Sequence, residues 1–293
     1  FTAVRDAAGA PHVKAPSWRE AVYALGYLHA TGRPTQMFFS RTVASGQAAE
    51  RLANKPELVE TDKFFRRASL HRHLDLEVEA LRPEIREQIE WYCNGLNDAL
   101  SDSGRTLPML VTGFRPRPWH AESVLLLGNL LSFAGLAVGA QENERLLLDL
   151  VQTGIEPALL RELFPPYLGD YDPELMSAIR MERRLSDDAL EMLADLPRLA
   201  GSNAWAVGPR RSASGKPLLA ADPHLEVNRL PAIWYEVALA WGNGEYAMGA
   251  TLPVCPLMAV GRTPRLAWGV NYVHDDTRDF LIEDCRAGED GGW

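Results

Sequence analysis

Two short stretches of this sequence could perform covalent chemistry, Gly201-Ser202 and Asp222-Pro223-His224. A serine hydroxyl is a weak nucleophile and needs a nearby base. If the Gly201–Ser202 peptide bond is cut, Ser202 supplies that base itself, because an α-amino group with a pKa of about 7.7–8.0 is half-neutral near physiological pH. Glycine at position 201 tolerates the bent backbone that attack on its carbonyl requires. The competing interpretation is that both stretches are ordinary turns.

The chain that precedes this serine is predicted to be mostly helical. Two strands joined by a turn lie between residues 4 and 13, and the capping-box pattern from Ser17 to Glu20 starts a helix that should run to about His29. Pro83 begins an amphipathic pattern that ends near Gly104. Further helices are predicted at 120–140, 142–153, 157–164, 173–184 and 187–196.

The pattern changes after Pro197, where short apolar segments alternate with Gly, Pro and Asn turns. We expect these segments to form one sheet of consecutive antiparallel strands. The predicted strands are 204–207, 218–221, 233–239, 246–251, 257–261 and 266–272.

The composition excludes several classes of partner. A formal net charge of -9 over 293 residues, without basic blocks, argues against nucleic acid and against an anionic membrane surface. The stretch from Val124 to Ala140 is short for a membrane span and carries polar and glycine residues, so a buried helix is expected there. The three cysteines have no metal-site spacing.

Several motifs resemble the penicillin acylase family of N-terminal nucleophile hydrolases. Residues 202–207, 211–225 and 231–236 look like the start of that family's catalytic chain. The helical part resembles the same family at residues 4–13 and 24–30, at Gln36-Met37 with Arg41, Gly46 and Glu50, and at residues 113–119.

The resemblance implies an α+β fold, the four-layer αββα sandwich, in a precursor that cuts itself. Residues 1–173 would be the helical chain, 174–201 a spacer or an ordinary surface helix, and 202–293 the first strands of the catalytic chain. The remainder of the catalytic chain is expected beyond Trp293 and would form a heterodimer with the helical chain after processing. A leader removed before Phe1 and a periplasmic or secreted location are expected.

The resemblance also assigns roles to single residues. Ser202 would be the nucleophile, His224 would hydrogen-bond the serine and its amine, and the backbone N–H of Tyr272 would donate to the oxyanion, a kind of donor whose loss typically costs about 10²–10³ in rate. The family's second donor, an asparagine side chain, is expected beyond Trp293. Asn271 is not taken for it, because strand alternation would place its side chain on the wrong side of the Tyr272 peptide.

Two further sites follow from the resemblance. Phe133, Leu136 and Val138 would line an apolar acyl pocket, with plain core packing as the alternative. A structural Ca²⁺ would be held by Glu142, Asp276, the Arg278 carbonyl and Asp279, with a solvated acidic loop as the alternative. No cofactor is expected to take part in catalysis.

The resulting hypothesis is an amidohydrolase that cleaves a small N-acyl amide through an acyl-enzyme on Ser202. The substrate would be an acyl-homoserine lactone or the side chain of a β-lactam. A metal hydrolase built on His71 and His73 lacks a third ligand with suitable spacing. The other alternative is an unprocessed precursor or truncated homologue that binds an acyl ligand or a partner chain without catalysis.

Overall fold

The structure, a computed structural model, describes residues 1–133, 138–163, 172–180, 199–225, 232–271 and 282. It divides the chain into two compact units. Unit 1 comprises Phe1–Gly135 with Leu185–Tyr272, and unit 2 comprises Leu136–Arg184 with Val273–Trp293. Helices dominate the N-terminal part and strands the part after residue 198, so the predicted α+β class is confirmed. The predicted chain boundaries at 173 and 201 concern processing and stay predictions.

Unit 1 begins with two strands and a run of helices. The strands are β1 (Thr2–Arg5) and β2 (Pro11–Ala15). The helices are α1 (Trp18–Gly32), α2 (Pro34–Ala44), α3 (Ala48–Arg51), α4 (Pro56–Ala68), α5 (Leu74–Ala80), α6 (Pro83–Ser103), α7 (Leu107–Val111) and α8 (Ala121–Leu131). The predicted helix start is confirmed, because Ser17 is the N-cap and its side chain accepts a hydrogen bond from the Glu20 N–H. The helix that starts at Pro83 and ends before Gly104 is also confirmed.

Unit 2 contains α9 (Val138–Gln152), α10 (Pro157–Leu163) and α11 (Pro173–Ala178). The helix predicted over 120–140 is confirmed at α8 and at the start of α9, with a π-helical turn at residues 132–133, and residues 134–137 lie outside the described residues. The predicted helix at 173–184 also ends early, since Ile179 already has an extended backbone. The helix predicted at 187–196 lies outside the described residues. Among the described helices, none is both long and apolar enough to cross a membrane.

The strands after residue 198 form two sheets, which corrects the prediction of a single antiparallel sheet. They are β3 (Leu199–Val207), β4 (Leu218–Leu225), β5 (Tyr235–Trp241), β6 (Glu245–Thr251), β7 (Met258–Arg262) and β8 (Ala267–Trp268). The larger sheet has the order β1-β2-β5-β6-β7-β8, and β2 lies parallel to β5. Sequence patterns show which segments are extended but not which strands become neighbours, so this long-range parallel pairing was missed.

The sheet packs against helices through one face. Alternate residues of β2 and β5 are buried, including Val13, Tyr235, Val237 and Leu239. Helices α1 and α6 pack very closely, because Gly26 and Gly95 leave room for the partner helix. A Cβ at Gly26 would lie 2.0 Å from the Tyr92 carbonyl oxygen, and one at Gly95 would lie 2.0 Å from that of Tyr23.

A buried hydrogen-bond network joins these helices to the sheet. His29 of α1 contacts the Tyr92 hydroxyl through Nδ1 and the Thr251 Oγ1 through Nε2, each at 2.8 Å. The Thr251 hydroxyl donates its hydrogen to the Tyr235 carbonyl, so His29 Nε2 must be the donor and Nδ1 must accept from Tyr92. Burial lowers the pKa of His29 to about 3, and this histidine is therefore a neutral structural group.

Candidate active site

The predicted nucleophile lies in the hairpin formed by β3 and β4. Gly201 pairs with His224, Ser202 with Pro223, and Asn203 with Asp222. The register shifts between Leu199 and Gly201, which places a β-bulge immediately before the predicted cleavage site. Because Asp222, Pro223 and His224 are all strand residues, the alternative that they form a turn is wrong.

One face of the hairpin carries the histidine and its partners. His224 Nε2 lies 2.9 Å from Asp222 Oδ2 and 3.2 Å from Asn203 Nδ2. Residues two apart on a strand share a face, as do residues directly opposite each other, so this grouping follows from the register. The imidazole also lies beside the predicted cleavage site, since a Cβ at Gly201 would be 3.5 Å from His224 Nδ1. A carboxylate-paired histidine therefore flanks Gly201.

The serine side chain belongs to the opposite face, because Ser202 follows Gly201 by one residue in a regular strand. There the Ser202 hydroxyl donates a hydrogen bond to Asn271 Oδ1. In the uncut strand, the backbone alternation thus separates Ser202 from His224. The predicted bond between His224 and the serine with its amine concerns the cut chain and stays a prediction.

The segment after β8 brings Asn271 to this second face. Trp268 is fixed by a hydrogen bond from its Nε1 to the Met258 carbonyl at 3.0 Å. Gly269 then lies against β4, where a Cβ would come within 2.5 Å of the Ala221 Cβ. Glycine at 269 therefore allows the close approach that carries Asn271 to Ser202.

Asn271 is the site residue that sequence reasoning set aside. Strand β8 ends at Trp268, and Gly269 then lies against Ala221 of β4, so Asn271 contacts Ser202 as an acceptor. The argument that Asn271 is not the oxyanion donor stays a prediction. The Trp268-Gly269 pair was the available signal, since glycine after a strand often marks a close backbone approach. Tyr272 itself lies outside the described residues.

The structure describes only some of the other predicted site residues. Phe133 is buried in unit 1, where its ring packs 5.8 Å from that of Phe64. Val138 and Glu142 lie on α9 of unit 2. Leu136, Asp276, Arg278 and Asp279 lie outside the described residues. The acyl pocket and the calcium site accordingly stay predictions.

Among the residues that the structure describes, no three His, Cys, Asp or Glu side chains are grouped so that they could hold a metal ion. The hairpin itself is open to solvent, with Trp205 58% and Leu218 54% exposed. Exposed apolar side chains on a two-stranded hairpin are unusual for a finished core and suit a surface that another segment covers.

Comparisons with known proteins identify the family of this chain. The family model for penicillin amidase matches residues 1–293, and the chain belongs to this family. It is 32% identical to an acyl-homoserine lactone acylase, QuiP, of Pseudomonas aeruginosa over 293 residues, which cover 96% of this chain and 34% of the relative. The penicillin acylase 2 proenzyme of Pseudomonas sp. (strain SE83) is 33% identical over 307 residues, 98% of this chain and 38% of the relative.

The chain spans about a third of the length of these curated relatives. A solved structure, the thermostable penicillin G acylase from Alcaligenes faecalis in tetragonal form, superposes with a TM-score of 0.45 at 21% identity. That superposition covers 62% of this chain and 96% of that chain. The fold described above therefore rests on the chain's own strands and helices.

Proposed function

We propose that the protein containing this chain is an acylase that hydrolyses a small N-acyl amide after cutting itself at Gly201–Ser202. An acyl-homoserine lactone is the first substrate class, because relatives of that name match the chain, and the side chain of a β-lactam is the second. The observation that carries the proposal is the position of Ser202. Its hydroxyl is oriented by Asn271, and its peptide bond to Gly201 is flanked by the Asp222–His224 pair.

The self-cleavage step uses the atoms at this bond. The Ser202 Oγ attacks the Gly201 carbonyl carbon, the C–N bond breaks, and the hydroxyl proton passes to the leaving amine of Ser202. Water then hydrolyses the ester, which releases a carboxylate on Gly201 and restores the hydroxyl. Asn271 holds the hydroxyl in one rotamer and acts as a positioning residue. The bulge before Gly201 supplies local irregularity where the backbone must bend.

The free amine of Ser202 then serves as the base for turnover. It takes the hydroxyl proton as Oγ attacks the substrate's amide carbonyl, and it returns that proton to the departing amine. Water hydrolyses the resulting acyl-enzyme. Once the bond to Gly201 is gone, Ser202 can rotate as a chain terminus, and His224 would position the new amine. The Tyr272 N–H would stabilise the oxyanion.

The associated partners and location belong to the same proposal. The exposed apolar residues of the hairpin would be covered by the remainder of the catalytic chain, in a heterodimer with the helical chain. Glu142, Asp276, the Arg278 carbonyl and Asp279 form an all-oxygen donor set of the kind that Ca²⁺ prefers, and its role would be structural. A periplasmic or secreted location completes the proposal.

The test is the intact mass and N-terminal sequence of the purified full-length protein, followed by hydrolysis assays. We expect a chain that begins Ser-Asn-Ala-Trp and amine release from N-acyl-homoserine lactones, with β-lactam substrates assayed in parallel. A single uncut protein that hydrolyses neither class would contradict the proposal. Cleavage at another bond would contradict the role of Ser202.

One observation favours a second candidate, an unprocessed homologue that binds an acyl ligand without turnover. Gly201 and Ser202 pair regularly with β4, and neither glycine 201 nor the serine has a positive φ. The uncut bond thus lies in a paired strand segment directly after the bulge. A full-length protein that stays uncut but binds an N-acyl-homoserine lactone saturably would establish this alternative.

A further inference from the structure

A cavity of about 390 Å³ opens among the helices of unit 1, away from the residues of the proposed active site. Its lining comes from residues 41–126, and Ser202, His224 and Asn271 do not take part. The floor includes the buried residues Arg41, Leu74 and Leu126. Burying the Arg41 guanidinium is costly unless polar or aromatic groups surround it, and it lies over the rings of Phe38 and Trp119.

Arg41 is held by neutral groups. Its guanidinium donates to the carbonyls of Pro118 at 2.9 Å and Arg117 at 2.8 Å, and to Ser123 Oγ at 3.1 Å. Between described residues, no salt bridge involves Arg41. Burial, together with the nearby charges of Arg51 and Arg117, lowers its pKa to about 10. The positive charge below the cavity is therefore not compensated by a described carboxylate.

The rim adds charge of both signs. Arg66 and His71 line the cavity with exposed side chains, and Glu122 lines it as the one carboxylate. Arg66 is fixed by a hydrogen bond from its Nε to the Gly46 carbonyl at 2.8 Å, and no salt bridge between described residues involves it. Two arginines thus outweigh one glutamate, which favours an anion in the cavity.

We propose that this cavity binds a small organic carboxylate. The carboxylate group would lie between Arg41 and Arg66, and a short aliphatic part would lie against Leu74 and Leu126. Arginine is suited to carboxylates because its planar donors match the two oxygens. The proposal does not depend on self-cleavage or on acylase activity.

The test is calorimetric titration of the full-length protein with hexanoate at constant ionic strength. We expect saturable binding that weakens about tenfold in Arg66→Gln, because a charge-assisted hydrogen bond is lost. Arg67→Gln is the matched control on the same helix and should bind like the wild type. Glu122→Gln should tighten binding several-fold, because it removes a like charge at the rim. A variant that had lost its fold would not bind hexanoate more tightly, so this increase in affinity separates the proposed site from a loss of structure.

Two other probes define what the cavity recognises. The neutral analogue 1-hexanol should not compete, and inorganic phosphate should compete more weakly than hexanoate. Equal competition by phosphate would overturn the assignment of an aliphatic carboxylate. Absence of saturable binding, or unchanged affinity in both Arg66→Gln and Glu122→Gln, would overturn the site itself.

Discussion

The same compact unit contains the helix pair α1 and α6 and the β3–β4 hairpin. The helix pair buries its polar groups, whereas the hairpin exposes them to solvent. The helix pair encloses His29 and Tyr92 in a network in which the imidazole has a partner at each nitrogen. The hairpin instead leaves Asp222 and His224 exposed beside Gly201. Buried networks fix a fold because each unpaired group would be costly, whereas an exposed pair costs little to rearrange. The buried groups that stabilise the fold are thus separate from the exposed groups of the proposed chemistry.

The largest expected effect is at the nucleophile. Ser202→Ala should abolish both self-cleavage and hydrolysis while it leaves the melting temperature of the precursor almost unchanged, because the side chain is small and lies on the open hairpin. Ser202→Cys should cut itself but hydrolyse more slowly, since a thiol attacks the peptide yet fits the oxyanion geometry less well. Gel analysis and N-terminal sequencing measure the first effect. If the purified Ser202→Ala variant still consists of two chains, the hypothesis that Ser202 cuts its own peptide bond is wrong.

The second prediction concerns the packing of α1 against α6. Disturbing this contact should lower the stability of the protein but not the activity of the molecules that remain folded. Gly26→Ala forces a methyl group against the Tyr92 carbonyl, so the helices must separate, at a cost of about 3 kcal/mol or more. Thermal unfolding of the full-length protein measures this cost. Gly128→Ala on α8 is the control, because that position has nothing within 4 Å and alanine should stabilise it by up to about 1 kcal/mol. Equal melting temperatures for both variants would contradict the close packing.

The third effect concerns acid stability through His29. Its pKa is 6.5 when exposed and about 3 in the fold. Between these two pH values the unfolded chain therefore binds a proton at His29 and the folded protein does not. Stability should therefore fall as the pH drops from about 6.5 towards 3, by an amount on the order of a few kcal/mol. Above pH 6.5 this contribution is flat, since neither state is protonated.

His29→Gln tests this acid window. The variant should be less stable at pH 7, because the buried hydrogen bonds to Tyr92 and Thr251 are remade imperfectly, but its stability should decline less towards pH 4. Urea unfolding at several pH values gives both numbers. Parallel declines in the variant and the wild type would assign the acid sensitivity to other groups.

The fourth effect separates the two faces of the hairpin. Asn271→Ala removes the group that orients the Ser202 hydroxyl, so self-cleavage should slow by about 10- to 100-fold. His224→Ala should slow cleavage less, because its side chain lies on the other face, and should reduce turnover of the cut enzyme more. Time courses of precursor loss and of substrate hydrolysis distinguish these outcomes. The reverse order of effects would contradict the assignment of faces.

The same contrast explains what could be predicted from sequence. The capping box at Ser17 and the pattern after Pro83 act locally, and both helices were predicted with nearly correct bounds. The roles of Ser202 and His224 were assigned by resemblance to a family and stay predictions, whereas parts of their strands were predicted from local composition. The pairing of β2 with β5 and the approach of Gly269 to Ala221 depend on contacts between distant segments. Glycine at 269 indicates a close approach but not which segment is approached, which is why the contact of Asn271 with Ser202 was not predicted.

The smallest expected effect lies at the exposed end of the sheet. Arg265 Nη2 lies 2.6 Å from Glu245 Oε1, and the two side chains are 80% and 43% exposed. Despite the short distance, water screens the pair and both long side chains lose freedom, so Glu245→Gln should cost at most about 0.5 kcal/mol. The cost should shrink further at 1 M salt. A loss comparable to that of His29→Gln would contradict the argument that burial, and not the length of a polar contact, determines what holds this fold together.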